Sequence, residues 1–324
     1  MSACEKRSFA RKTLAVPSLV LYLIEVFVLL KNRSSFKSAF FRLFFVRFVS
    51  NFINYFCTYF YMRLGRLGLF IGLFNSMPSF LLGFVFFFNY YTFHADNIST
   101  MFILLNRLTL IISPVEHVKI WKYLLPASIL LIYSVPLTCT VQVLTYDFFV
   151  RVQDDNWTFT VAIDFKPDRT YIASAYISAL SGVLNLFTII LYRRNRKNMS
   201  HGNASVSKMV EQKVEYRLTI YALITFLAQL SMAVYYILIY IASWLFRSEV
   251  HFFLSLANQF SWIHDISTIV LPAWFLLWAS SKVKKHVYAL VLPRSWVKEN
   301  SSLFIDSKTV SSIKATNSVQ PQAQ

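Results

Sequence analysis

Long apolar stretches separated by short polar or basic segments make up most of this chain. Each stretch reaches the roughly 17 residues that a helix needs to cross the hydrocarbon core of a membrane. The stretch 80–105 is apolar nearly all round, which is typical of a helix in lipid or among other apolar helices. The pattern predicts seven transmembrane helices, at 14–30, 38–61, 80–105, 123–144, 171–192, 218–246 and 252–280.

Composition supports a membrane protein. Of the 324 residues, 56% are hydrophobic and 15% are charged, and the mean hydropathy is +0.50. A soluble domain of this size needs more charged surface. We therefore predict an all-α membrane protein with a seven-transmembrane helix bundle at 14–280. An extracellular N-terminus at 1–13 precedes it, and a juxtamembrane amphipathic helix at 281–293 and a disordered cytoplasmic tail at 294–324 follow it.

Lys and Arg predict the orientation of the bundle. The loops on one side, together with the tail, carry 20 of these residues, and the other side carries 10. The richer side of a membrane protein faces the cytoplasm, so the N-terminus is predicted outside and the C-terminus in the cytoplasm. The outer loop 147–170 is acidic and contains the sequon Asn156-Trp157-Thr158, which predicts glycosylation at Asn156. The net charge of +17 reflects these loops and does not indicate nucleic acid.

Charged residues inside the apolar stretches predict ion pairs, because an unpaired charge in hydrocarbon is costly. Counted from the helix ends, Glu25 and Arg42 lie at similar depth, and so do Arg47 and Asp96. We expect the pairs Glu25–Arg42 and Arg47–Asp96 to join the first three helices. For Arg42, the alternative is that its side chain extends to the membrane interface.

Polar residues in the outer half of the bundle suggest a ligand cavity. The candidates lie in the third and seventh helices: Asn89, Tyr90, His94, His264 and Asp265. The alternative is a structural network of hydrogen bonds between helices. The seventh helix contains no lysine, which excludes a retinal Schiff base there.

Catalytic and cofactor motifs are absent from the sequence. It contains no HExxH, no GxSxG, no Walker loop and no His/Cys cluster with metal-ligand spacing, so we predict no enzyme activity, cofactor or metal. The chain has three cysteines, and Cys57 and Cys139 both fall near the predicted outer helix ends, where one disulfide is an open alternative to two free thiols.

The loop after the third helix carries the most specific pattern in the chain. This pattern consists of 106–109, Pro114, Glu116, His117 and 120–122, and two other segments accompany it: the run 36–41 before the second helix, and 265–268 with 271–274 in the seventh. Together these residues resemble the nematode serpentine receptors of class gamma, and the resemblance covers roughly residues 14 to 292.

This resemblance implies a chemosensory G-protein-coupled receptor in the plasma membrane of sensory cells. Its partners would be a small-molecule ligand, a heterotrimeric G protein and the lipid bilayer. The residues at the coupling surface would be Asn106, Arg107, Trp121, Arg193 and Arg194. The alternative function is a seven-helix ligand-gated channel or transporter with charged residues along its path.

Three features depart from related receptors. Arg47 stands where the family usually has an acidic residue, and Asp96 is the candidate compensator. The cysteine pair of rhodopsin-like receptors is missing. The sixth helix has no proline hinge, although Gln229 and Ser231 provide groups for a polar switch.

Overall fold

Helices make up most of the described chain. The computed structural model describes residues 3–64, 70–152, 159–163, 206–245 and 262–291, with Phe260 and single positions between 183 and 194. The α-helices are α1 (Ala3–Lys31), α2 (Ala39–Thr58), α3 (Ile71–Ser76), α4 (Ser79–Ile112), α5 (His117–Thr140), α6 (Val206–Leu245), α7 (Leu271–Ala279) and α8 (Ser281–Val291). Three other segments extend them: π-helical turns at Tyr59–Leu64 after α2 and Ile266–Val270 before α7, and a 3-10 turn at Val141–Thr145 after α5.

Three helical segments in the described part of the chain are long and apolar enough to cross a membrane. They are Ser79–Ile112, His117–Thr145 and Trp262–Ala279, and they correspond to the third, fourth and seventh predicted helices. The chain is therefore a helical membrane protein. The predicted fifth helix, 171–192, lies outside the described residues apart from single positions. Helix α6 starts at Val206, earlier than the predicted 218, so it continues into the segment predicted as a basic loop.

Helix α4 is the central element. It contacts α2, α5, α6 and the first strand of a hairpin described below. The most apolar part of its span is 67% buried within the protein, whereas that of the α5 segment is 28% buried. The side chains of α4 are thus mostly inside the bundle, whereas α5 lies at its edge with most of its surface available to lipid.

Aromatic side chains fill the main core, where α1, α2, α4 and α6 meet. Tyr22 is fully buried and contacts two phenylalanine rings edge-on, with centroid distances of 5.6 Å to Phe44 and 4.9 Å to Phe48. Edge-to-face contacts of this kind suit the quadrupoles of aromatic rings. The indole Nε1 of Trp274 also donates to Ser18 Oγ at 3.0 Å, which joins α7 to α1.

A β-hairpin lies within the stretch predicted as an outer loop. Strand β1 (Phe148–Val152) pairs antiparallel with β2 (Phe159–Ile163), and Phe148 lies opposite Ile163. Aromatic and β-branched residues, which favour strands, dominate both segments. The prediction of an all-α protein is therefore corrected in this loop. Asn156 lies between the strands, outside the described residues.

Helix α8 occupies the segment predicted as amphipathic. Val283 and Val287 are buried in the main core, and the three lysines 282, 284 and 285 are exposed. Leu290 and Val291, near the end of this helix, are exposed. Cys57 and Cys139 are both free thiols, so these two cysteines do not form a disulfide.

Close packing at Gly83 leads to the first prediction. A Cβ at this position would lie 3.1 Å from the Phe148 ring, whereas nothing lies within 4 Å of a Cβ at Gly72. We expect Gly83→Leu to displace β1 from α4 and to lower the free energy of unfolding by about 1–3 kcal/mol, as overpacking does. Thermal unfolding of the purified protein in detergent measures this. Gly72→Leu is the control, and equal destabilisation by both substitutions would contradict the packing.

Candidate functional site

Buried polar side chains connect α2, α4, α6 and the helix leading into α7. Their centre is the Asp96 carboxylate, which is 1% exposed. Its Oδ1 lies 2.6 Å from Nε of Arg47, which is fully buried. Its other oxygen accepts a hydrogen bond from the Gln229 side-chain amide. One carboxylate on α4 thus holds α2 through an ion pair and α6 through a hydrogen bond, as is needed when charged groups lie away from water.

Glu25 and Arg42 are not brought together. Glu25 is fully buried, and neither of its carboxylate oxygens has a hydrogen-bond partner among the described residues. Arg42 is exposed on the outside of α2. The predicted Glu25–Arg42 pair is therefore wrong. Equal depth on two helices does not ensure that two side chains face each other, because the facing also depends on the rotation of each helix about its axis.

A second part of the network consists of amides and hydroxyls. The Asn54 amide donates to the Asn89 backbone oxygen at 2.7 Å, and Thr58 donates to the Asn89 side-chain oxygen at 2.7 Å. Asn89 in turn donates to the Tyr61 hydroxyl at 3.2 Å. These bonds join α2 to α4, so Asn89 takes part in a network between helices. Sequence reasoning missed Asn54 and Thr58, because uncharged residues in an apolar stretch give a much weaker signal than charged ones.

His264 and Asp265 lie beside this network. The Nε2 atom of His264 bonds Asn54 Oδ1, and Asp265 Oδ2 pairs with the Arg63 guanidinium. Arg63 and Asp265 both lie at π-helical turns, the first within Tyr59–Leu64 and the second just before Ile266–Val270. A π turn rotates the side chains that follow it and often occurs at functional sites.

The Arg63–Asp265 pair is closer to solvent than the Asp96 centre. The two side chains are 15% and 11% exposed. The Arg63 guanidinium also lies over two tyrosine rings, 5.6 Å from the centroid of Tyr55 and 5.5 Å from that of Tyr59. Such contacts stabilise a cation through the electron-rich ring faces. This pair was not predicted, because Arg63 lies just beyond the second predicted span, 38–61.

The other two cavity candidates differ in burial. His94 is fully buried, and neither ring nitrogen has a hydrogen-bond partner within the part of the chain that the structure describes. Its ring contacts that of Phe93 with centroids 5.5 Å apart. Tyr90 is half-buried and packs against the cluster of aromatic residues beside the hairpin. Of the five cavity candidates, the structure places His264 and Asp265 side by side and Asn89 in the same network through Asn54.

The coupling candidates in α4 and α5 lie together at the other end of α4. The indole Nε1 of Trp121 donates to Thr109 Oγ1 at 2.7 Å, and the same hydroxyl lies 3.1 Å from His117 Nδ1. These bonds hold the start of α5 against the end of α4. Asn106 lies 17 residues after Asn89 in α4, about 25 Å along the helix axis.

Arg107 is held close to the bundle. It is 4% exposed, its Nη2 donates to Asn106 Oδ1 at 3.2 Å, and its guanidinium lies 4.3 Å from the centroid of the Phe40 ring. Of the two remaining coupling candidates, Arg194 is exposed and Arg193 lies outside the described residues.

The buried pair gives a second prediction. Replacing either member alone, by Arg47→Met or Asp96→Leu, leaves one buried charge unpaired and should cost about 3–5 kcal/mol of stability. The double substitution removes both charges and should recover most of that loss. Thermal unfolding of the four proteins forms a double-mutant cycle, with exposed Arg42→Met as the control. If only the Arg47 substitution lowered stability, or if the stability losses of the two single variants added up in the double variant, the pair would not act as a unit.

Comparison with known proteins identifies the family. None of the curated proteins matches the chain. The family model described as Srg family chemoreceptor matches residues 11–287, which is most of the chain and includes the Asp96 centre, the Arg63–Asp265 pair and the 106–122 segment. This confirms the resemblance carried by that segment. The chain belongs to the Srg family of chemoreceptors, the serpentine receptors of class gamma.

Proposed function

We propose that this chemoreceptor is a seven-transmembrane, G-protein-coupled receptor in the plasma membrane of sensory cells. In this proposal the N-terminus and a glycosylated Asn156 face outside, and the tail lies in the cytoplasm beside α8. A small molecule enters from the outer face, and the response reaches a heterotrimeric G protein at the opposite face. The family match supports a chemoreceptor that binds small molecules in a membrane, and the polar network supports the route between the two faces.

The observation that carries the proposal is the link between α6 and Asp96. Gln229 is 4% exposed, and its bond to Asp96 crosses from α6 to α4 in the middle of the bundle. Because α6 has no proline hinge, it is expected to move as a unit once this bond is released. A ligand that binds better to the released arrangement shifts the population toward it.

The inner end of α4 supplies the responding surface. In the resting arrangement Arg107 lies against the Phe40 ring of α2 and donates to Asn106. Movement of α6 opens a cleft beside this end of α4, and Arg107 turns from Phe40 toward the G protein. Trp121, Arg193 and Arg194 extend the same cytoplasmic surface. The mechanism is a shift between helix arrangements, not a chemical reaction.

A channel or transporter has less support. Its path would need the charged residues inside the membrane, but Arg47 and Asp96 are almost completely buried and bonded to each other. We therefore assign Arg47 and Asp96 to the centre that holds the helices in the resting arrangement, and not to a conduction path. Recording membrane current alongside the G-protein response separates the two functions, and a ligand-evoked current without G protein would favour a channel.

Arg107 provides the third prediction. The Arg107→Ala receptor should reach the cell surface but lose most of its G-protein response, because the guanidinium is needed at the open cleft. The measurement is a G-protein reporter in cells, normalised to surface expression. Arg33→Ala removes an exposed arginine elsewhere on the chain and serves as the control. Normal signalling by Arg107→Ala would remove this residue from the coupling surface.

Gln229 provides the fourth prediction. Gln229→Leu removes a hydrogen bond to a buried carboxylate, a bond worth about 1.5–3 kcal/mol. If that bond restrains the resting arrangement, ligand-independent signalling should rise about tenfold or more. Basal reporter activity measures this effect. In the control, Ser231→Ala, the lost hydroxyl donates to the Ala228 carbonyl on α6 itself. Unchanged basal activity in a well-expressed Gln229→Leu receptor would refute the restraint.

A further inference from the structure

The proton on His264 can be placed from its neighbours. The Asn54 side-chain nitrogen donates to the Asn89 backbone carbonyl, which can only accept a hydrogen bond. The other atom of the Asn54 amide, Oδ1, is therefore an acceptor, and it faces His264 Nε2. Nε2 must carry the hydrogen of this bond. In the neutral imidazole, Nδ1 then has a lone pair and accepts hydrogen bonds.

With the imidazole neutral, two acceptors face each other without a donor. His264 Nδ1 lies 3.8 Å from Asp265 Oδ1, which is longer than a hydrogen bond. Both atoms are buried, and neither has a hydrogen-bond partner within the described part of the chain. A buried acceptor without a donor is destabilising, so the pair favours a donor that satisfies both atoms at once.

The spacing requires a donor with two hydrogens on one atom, which water and an ammonium both have, and the charge of Asp265 then decides between them. For a donor atom about 2.8 Å from each acceptor, the acceptor–donor–acceptor angle would be about 85°. This is close enough to the tetrahedral angle for two bent hydrogen bonds. A primary or secondary ammonium offers at least two N–H groups at one atom. An alcohol offers one O–H, and a carboxylate offers none. The negative charge of Asp265 adds a further preference for a cationic donor.

Arg63 already occupies the cation-binding surface around Asp265. Its guanidinium lies between Asp265 Oδ2 and the faces of Tyr55 and Tyr59, and every one of these groups attracts a cation. Its partial exposure gives the side chain a path outward. The Phe260 ring, centred 5.4 Å from that of His264, makes the surroundings of the imidazole apolar.

We propose that His264, Asp265 and the faces of Tyr55 and Tyr59 form a binding site for a small organic amine, which displaces Arg63 as it binds. This inference rests on the proposed receptor function and names the chemical class of its ligand. The ammonium donates to His264 Nδ1 and Asp265 Oδ1, and the Arg63 guanidinium moves out to solvent. An anionic ligand would instead need Arg63 as its partner and would meet two acceptors.

Opposite effects of Arg63 and Asp265 substitutions test this site. The probe is phenethylamine, added to the purified full-length receptor in lipid nanodiscs, and the measurement is its dissociation constant by calorimetry. Asp265→Asn should weaken binding about thirtyfold or more, since it removes the charge that holds the ammonium. Arg63→Gln removes the competing cation and should tighten binding about threefold or more. Exposed Asp147→Asn should change nothing and is the matched control.

Three analogues that share the phenethyl body and differ in the polar group test the chemistry. Under the proposal, 2-phenylethanol and 3-phenylpropionate bind more weakly than phenethylamine. The trimethylammonium analogue keeps the charge but loses the N–H donors, so it also binds more weakly. If Asp265→Asn fails to fold, the double variant Arg63→Gln with Asp265→Asn removes both charges and should also fail to bind the amine. The amine site would be overturned if 3-phenylpropionate bound most tightly and lost that binding in Arg63→Gln. It would also be overturned if the trimethylammonium analogue bound as tightly as phenethylamine.

The binding assay contains no G protein, so its result is independent of coupling. Amine binding with the predicted variant pattern supports the site even if the cell reporter stays silent, and that silence would count against the receptor function alone. Absence of amine binding from a folded receptor that signals to other compounds would overturn the site and leave the receptor function standing.

Discussion

The need to satisfy charge inside the membrane shapes this protein more than any other constraint. Hydrocarbon offers no water to a buried guanidinium or carboxylate, so Arg47 requires Asp96 at 2.6 Å. Because Asp96 lies on α4 and Arg47 on α2, the pair fixes the rotation of both helices. The Gln229 bond then adds α6 to the same centre. Three helices are thus bonded at one carboxylate, so a movement of any one of them changes the bonds that hold the other two.

Sequence predicted this centre because the cost of a buried charge is large and depth can be counted along a helix. Arg47 is too deep to reach the interface, so a partner at the same level was required, and Asp96 lies there. The same reasoning failed for Glu25 and Arg42. Arg42 lies near enough to the helix end to remain exposed, so it needs no carboxylate, and depth alone could not exclude their pairing.

Other features were beyond sequence reasoning for different physical reasons. Asn54 bonds three neighbours through one amide, but burying an uncharged amide costs less than burying a charge, so its presence does not require a particular partner. Arg63 lies within one π-helical turn and Asp265 lies just before another, and such turns leave no clear hydrophobic period from which their pairing could be predicted. The hairpin depends on pairing between segments that each look like a short apolar stretch within a loop.

The distribution of satisfied and unsatisfied polar atoms separates the stable part of the network from the part that can change. Asn54 and Asn89 bond several partners on two or more helices, so movement there would break several bonds at once. At His264 and Asp265, by contrast, two acceptors face each other and are stabilised only when a donor binds between them. His264 belongs to both parts, because its Nε2 bonds Asn54 while its Nδ1 faces Asp265. A donor bound there would pull on the imidazole that bonds Asn54 of α2, and the Asn54 amide in turn bonds Asn89 of α4.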